Sequence, residues 1–352
     1  MDSTPLTTYR VVYTTTASIA ILLNLVIIVS SIRSGQTLSQ TSLITFWLCC
    51  FDFLVASTDF IIGATSLSLH QTIANQTIPP STTLQICHIH GFLHILGGST
   101  SLLLCLALTL SRYSIIIHKR TISRKITLTS IAIILLFAST VASLPFIMTD
   151  PNIYTLHPSN LYCATDWSQK SIKSRVLTAI NLLTVIPPVT FIGFAYWKMY
   201  HVVSLQCRRA SGVFREARLR AEMKGRSGED EGGDYPQDLS IPVSTMLRTS
   251  SSTVVEVHQA LSYALEDEAL QEEQRLLLQS WIIVLAFLSG WSPYLIVMIY
   301  EAIMTKSVSA EYDFVAIYCT LLNQGFNPVI LIAYKRDVRE RVVKMISGQS
   351  LL

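Results

Sequence analysis

The stretch CHIHGFLHILGGSTSLLLCLALTLSRY, Cys87 to Tyr113, decides the fold. It is apolar enough to enter a bilayer, yet it carries His88, His90 and His94 and closes on Arg112. As a helix rising 1.5 Å per residue, the 25 steps from Cys87 to Arg112 cover about 38 Å, a hydrocarbon core with its borders. Cys87 then sits at one membrane face and Arg112 at the other. Charged groups inside a span cost at least ~2.5 kcal/mol each by insertion scales, so each is a functional hypothesis by default.

Outward from this span, six further stretches of the 352-residue chain are long and apolar enough to cross. With it they run approximately 11–33, 41–68, 85–117, 124–147, 174–200, 272–303 and 309–333. Half the residues are hydrophobic, mean hydropathy is +0.46, and only 14% are charged. Soluble domains carry roughly 25% charged residues. The composition therefore excludes a soluble enzyme, a nucleic-acid binder and a disordered chain. No basic region and small-residue cleavage site precedes the first stretch, so it reads as a retained span. With the N-terminus outside, the outer segments hold Arg10, Lys170, Lys173, Arg175 and Lys306. The other 21 of 26 basic residues lie on the inner side, as the positive-inside rule requires. The sequon Asn75-Gln76-Thr77 falls in the first outer loop and makes Asn75 the expected glycosylation acceptor.

The expected fold is an all-α membrane bundle of seven helices, residues 11–333, behind a short outer N-terminus, residues 1–10. The third inner loop spans 201–271, and its Gly-, Ser- and acid-rich part, about 224–252, reads as disordered. A helical period returns from Thr253. The tail, 334–352, alternates basic residues with Val338, Val342 and Val343, which suits an amphipathic helix on the inner leaflet.

Polar residues inside the spans gather in order: Asn24 in span one, Asp52 and Asp59 in span two, and Asn323, Gln324 and Asn327 in span seven. Mutual pairing that holds the bundle together is the plain alternative to a functional role. Cys163 lies in the second outer loop, on the same oxidising side as Cys87, where a disulfide can form. The other five of the seven cysteines lie in spans or at inner ends, Cys49 and Cys50 among them as packing residues, and no CxxC motif points to zinc or redox chemistry. Pro188, Pro293 and Pro328 interrupt spans five, six and seven, making bending points.

With these residues in place, the chain resembles the rhodopsin-like (class A) G-protein-coupled receptors over nearly its whole length. Leu23-Asn24-Leu25-Val26 stands for the GN-x-x-V motif, Leu48-Cys49-Cys50-Phe51-Asp52 for LAxxD, and Ser111-Arg112-Tyr113 for DRY. Span five has Pro188 and Tyr196. Span six reads Phe287-Leu288-Ser289-Gly290-Trp291-Ser292-Pro293-Tyr294, close to F-x-x-CWxPY, and span seven Asn323-Gln324-Gly325-Phe326-Asn327-Pro328, close to NSxxNP. The resemblance implies a Cys87–Cys163 disulfide and no enzymatic activity. It implies a conformational switch built on Arg112, Tyr113, Tyr196, Glu273, Phe287, Trp291, Pro293, Asn327 and Pro328. Pro188, Leu102 and Phe287 would transmit the shift by repacking. An Arg112–Glu273 pair would hold the inactive state, and outward movement of span six would admit a heterotrimeric G protein. A sodium-type pocket would use Asp52, Ser101, Asn323 and Asn327, against the alternative of a protonated Asp52 bonded to asparagines. Plasma-membrane residence, and kinase and arrestin as further partners acting on Thr249, Ser250, Ser251, Ser252 and Thr253, belong to the same implication.

Three positions depart from the family pattern. Ser111 replaces the acid beside Arg112, Leu331 stands where NPxxY has its tyrosine, and Leu135 lies near the missing span-four tryptophan. Raised basal activity or unusual coupling is the expectation. The retinal lysine position holds Leu321, so no retinal cofactor is expected, and the aspartate of aminergic receptors is replaced by His94, which disfavours a monoamine.

The ligand site is read from spacing. His90 and His94 lie one turn apart on one face. Asp59 stands about 10 Å outward of Asp52, placing it opposite His94. Asn181 and Thr184 from span five, with Trp291, Tyr294 and Met298 from span six, would close an apolar cavity with a few polar anchors. The histidines would contact ligand, sense pH, or simply hold Asp59. The short N-terminus favours a small molecule or short peptide over a large hormone. A proton- or ion-coupled transporter or channel is the rival reading of the intramembrane charges, but no inverted repeat supports it. A membrane enzyme is weaker still, with neither HExxH nor GxSxG present.

Overall fold

The structure, a computed structural model of the chain, describes residues 4–33, 38–74, 80–148, 154–229, 278 and 281–347. Asn75, Glu273 and the Thr249–Thr253 run lie outside the described residues. In chain order the elements are α1 (Thr4–Arg33), α2 (Gln40–Ala74), α3 (Pro80–His118), α4 (Arg124–Ile147), β1 (Tyr154–Leu156), β2 (Cys163–Thr165), α5 (Ile172–Glu229), α6 (Trp281–Met304), α7 (Ala310–Tyr334) and α8 (Arg336–Ile346). Among the described residues seven helices are long and apolar enough to cross a membrane. Hydrocarbon offers no partner for backbone N–H and C=O groups, so an apolar run there satisfies them internally as helix. Several helices outrun their apolar windows. α1 begins at Thr4, inside the segment read as outer N-terminus, and α5 reaches Glu229, into the stretch read as disordered from 224.

Local chemistry sets the helix ends. Ser123 caps α4 by accepting from the Ile126 amide at 3.4 Å, and Lys119, at φ 52°, turns the chain out of α3 before it. α7 opens with Glu311 and Asp313 in its first turn, where negative charge suits the positive end of the helix dipole. Proline lies inside α4 (Pro145), α5 (Pro187, Pro188) and α7 (Pro328).

The packing places α3 near the centre, against α2, α4 and both strands, while α1 packs on α2 and α7. Polar groups join the apolar contacts. Asn24 of α1 donates to the carbonyls of its own Ala20 and of Gln324 in α7, each at 2.9 Å. Small residues let the backbones close up. Gly97 and Gly98 sit side by side on α3: a β-carbon on the first would collide with Val55 of α2, and one on the second with the Trp291 ring of α6. α8 buries Val338 and Val342 against the bundle and leaves Val343 and Ile346 exposed, while Arg336 and Glu340 pair at 2.6 Å on its outer surface. An amphipathic helix thus follows the seventh span, as the sequence implied.

The two short strands form an antiparallel hairpin in the second outer loop, Tyr154 opposite Thr165 and Leu156 opposite Cys163. Its turn is closed by the Asn160 amide donating to the His157 carbonyl at 2.8 Å, with Asn160 at φ 56°, a left-handed conformation Asn tolerates. No strand was expected from the sequence. The described residues Trp197 to Glu229 belong to a second unit, separate from the rest of the bundle. Within it the Ser204 hydroxyl donates to the His201 carbonyl at 2.9 Å.

Gly97→Ala should lower the melting temperature of the purified protein, an overpacking cost of about 1–3 kcal/mol. Adding Val55→Ala, which removes the colliding methyls, should restore part of the loss. A Gly97→Ala protein as stable as the parent would show that α2 and α3 are not in this close contact.

Candidate functional site

Two carboxylates one above the other on α2 organise the interior. The lower, Asp52, is buried; Ser101 donates to its Oδ1 at 3.1 Å and Asn327 to its Oδ2 at 2.7 Å. The side-chain oxygens of Asn323 and Asn327 are buried without a hydrogen-bond partner among the described residues. The four residues the resemblance assigned to a sodium pocket are therefore all buried in the interior, with acceptor oxygens unspent. Asp59, fully buried above, has His90 Nε2 at 3.1 Å, Gln324 Nε2 at 3.4 Å and His94 Nδ1 at 3.7 Å, the last beyond hydrogen-bond distance. The sequence placed Asp59 opposite His94; the structure brings both histidines to it, His90 closer. His90 continues through Nδ1 to the backbone of Cys163, N–H at 3.2 Å and C=O at 3.3 Å. Cys163 is in turn disulfide-bonded to Cys87.

Beside this column lies a mainly apolar cavity of about 310 Å³. His94, Asn181, Trp291, Tyr294 and Met298, all expected there, line it. Leu102 and Phe287 line it too. Asp59, His90 and Thr184 do not: the first two are sealed behind His94, and Thr184 is buried with its hydroxyl donating to the Ile180 carbonyl at 2.8 Å. His94 sits in an aromatic cage, with the Tyr162, Trp291 and Tyr294 rings centred 5.9–6.0 Å away. Trp291 stacks on Phe287 at 5.9 Å. Trp167, just past β2, also lines the cavity and was missed; its signal is its place four residues after Cys163, which the disulfide draws over the bundle.

At the inner end Arg112 is 7% exposed, and its Nε has no hydrogen-bond partner among the described residues. Ser111 beside it is buried, and its hydroxyl likewise lacks a partner among them. Tyr196 of α5 lies in electrostatic range of Arg112 and against the Trp281 ring of α6 at 5.1 Å. The Tyr113 ring meets His118 at 5.6 Å. Leu331 is buried.

A model of the family described as 7 transmembrane receptor (rhodopsin family) matches residues 23–331. The chain belongs to the rhodopsin family of seven-transmembrane receptors. It is a multi-pass membrane receptor rather than an enzyme. Among solved structures, squid rhodopsin is similar in fold, with a TM-score of 0.70 at 16% identity over 99% of this chain and 88% of that one. No curated protein matches in sequence.

The receptor's outer rim holds a second polar cluster that sequence reasoning did not find. Asp313, at the start of α7, accepts from the Tyr162 hydroxyl at 2.6 Å and the Ser159 amide at 2.9 Å, and its Oδ1 lies 3.3 Å from His157 Nδ1. His157, Ser159 and Tyr162 all belong to the hairpin, so Asp313 latches the loop to α7. Burial by itself would pull His157 down, but the hydrogen bond and negative charge of Asp313 outweigh it and hold His157 above its ordinary value.

A raised pKa means that protonated His157 stabilises the latch fully below its unfolded value of about 6.5, and that this stability is lost as pH rises through the raised value. The melting temperature of the purified receptor should therefore fall as pH climbs from ~6 to ~8, and His157→Gln should flatten that dependence. An unchanged slope in the variant would show that the latch does not rest on the His157 cation.

Proposed function

We propose that the receptor binds an extracellular small molecule or short peptide in the cavity beside His94 and answers by opening its inner face to a heterotrimeric G protein. The observation that carries this reading is continuity. The cavity wall is built from Trp291 and Phe287 of α6. The inner end of the described part of this helix, Trp281, lies against Tyr196 near Arg112. A ligand shifts the equilibrium only by binding the two states differently, and one packed against Trp291 would do so if α6 repacks. Pro293, one turn outward of Ser289, gives α6 a bending point.

Arg112 is the residue proposed to meet the G protein once the bundle opens. Its Glu273 partner is supported by motif position alone. Ser111 offers no charge to hold the guanidinium, which supports raised basal activity. Tyr113, Asn327 and Pro328 take their switch roles from the same motifs. Asp52, Ser101, Asn323 and Asn327 fit a hard cation, being one carboxylate, one hydroxyl and two amide oxygens with lone pairs to spare. A bound sodium ion would there favour the closed state. Leu321, fully buried where a retinal lysine would stand, supports a diffusible ligand. Plasma-membrane residence, glycosylation at Asn75 and desensitisation by kinase and arrestin complete the reading.

Receptor in lipid nanodiscs should accelerate nucleotide exchange on at least one member of a G-protein panel. Arg112→Ala should abolish the acceleration, and Ser111→Asp and added sodium should each lower the basal rate. Ion or substrate flux with no exchange on any G protein would favour the transporter reading instead.

A further inference from the structure

We infer that Asp59, His90 and His94 form a transition-metal site that binds Zn²⁺. His90 and His94, four residues apart, present their rings on one face of α3, and Asp59 meets them from α2. The three donor atoms lie within 4.8 Å of one another. His90 Nε2 and His94 Nδ1 stand 3.1 and 3.7 Å from the same Asp59 oxygen. Ligands at 2.0–2.1 Å from a tetrahedral zinc are separated by about 3.3 Å, so these gaps are close to two edges of the required tetrahedron. Two imidazoles and one carboxylate suit zinc over sodium, calcium or magnesium, which prefer oxygen alone.

His94 supplies an independent sign. It is 2% exposed, and neither ring nitrogen has a hydrogen-bond partner among the described residues. A buried imidazole in that state forgoes about 1–3 kcal/mol of hydrogen bonding. A metal ion at Nδ1 would give that nitrogen a partner, leaving Nε2 toward the aromatic cage. The shell behind the site fits as well. A metal-ligating histidine usually donates its other N–H to a carbonyl or carboxylate, which fixes its tautomer. His90 Nδ1 lies 3.3 Å from the Cys163 carbonyl and 3.2 Å from its amide. Without metal, Nε2–H donates to Asp59 and Nδ1 accepts from the amide. With zinc on Nε2, the proton moves to Nδ1 and donates to the carbonyl. Neither state leaves His90 unsatisfied, and the change is felt at the disulfide-bonded strand β2.

Three protein donors leave the fourth vertex for water or another ligand, and His94 lines the cavity from which it would come. Zinc binding does not depend on signalling, so its test stands apart from the G-protein reading.

Chelator-stripped receptor in nanodiscs is titrated with Co²⁺ and then Zn²⁺. One equivalent of Co²⁺ should give the visible absorption of a tetrahedral site, and Zn²⁺ should displace it. His94→Gln should weaken binding by more than the ~10–100-fold that losing an outer-shell partner costs. His118→Gln, at an exposed position, should leave it unchanged. A measurement needing no variant is X-ray absorption of the zinc-loaded wild type, where two imidazoles in the first shell are expected. No tetrahedral cobalt spectrum in wild type, a spectrum that survives His94→Gln, or a first shell without two imidazoles would each overturn the assignment.

Discussion

The rest of this bundle depends on the burial of Asp59. A carboxylate with no exposure, inside a helix that crosses hydrocarbon, is tolerable only with partners from its neighbours. His90 and Gln324 provide them, so one side chain joins α2 to α3 and α7. Through the second nitrogen of His90 the link reaches Cys163, and through the disulfide it returns to Cys87 on α3. The outer loop is thus positioned from below by a polar column and from the side by Asp313. Trp167 of that loop lines the cavity between α3, α5 and α6, and Tyr162 packs on His94 at its edge.

The seven spans and the inner-face helix were legible because lipid permits few alternatives: an apolar run of about 20 residues must be helical. Asp52, Ser101, Asn323 and Asn327 were legible through motif order, and their placement in the interior follows from the spans. Five of the eight expected ligand residues line the cavity. The other three do not line it, for reasons of rotation. Thr184 turns its hydroxyl back to its own helix, and His90 and Asp59 satisfy each other behind His94. Spacing along a helix gives height; it does not say which neighbour a side chain meets first.

The hairpin and its latch were not legible. Three-residue strands carry too little periodicity to register, and the pairing of Asp313 with His157 and Tyr162 joins positions more than 150 residues apart. Asp313 and Glu311 read as acids at a helix start, which they also are. Trp167 entered the cavity by the same long-range route, carried by the Cys87–Cys163 bond.

The inner face shows the departures from the family pattern as physical states. Arg112 is buried beside a serine, and its Nε has no hydrogen-bond partner among the described residues at the point where the bundle is proposed to open. The most direct measurement is the distance between spin labels at the exposed positions Ile126 on α4 and Leu285 on α6, read by pulsed electron resonance with and without nucleotide-free G protein. Movement of α6 away from the bundle predicts a shift to longer distances on adding the G protein. A distribution unchanged by a G protein that binds the receptor would contradict the switch.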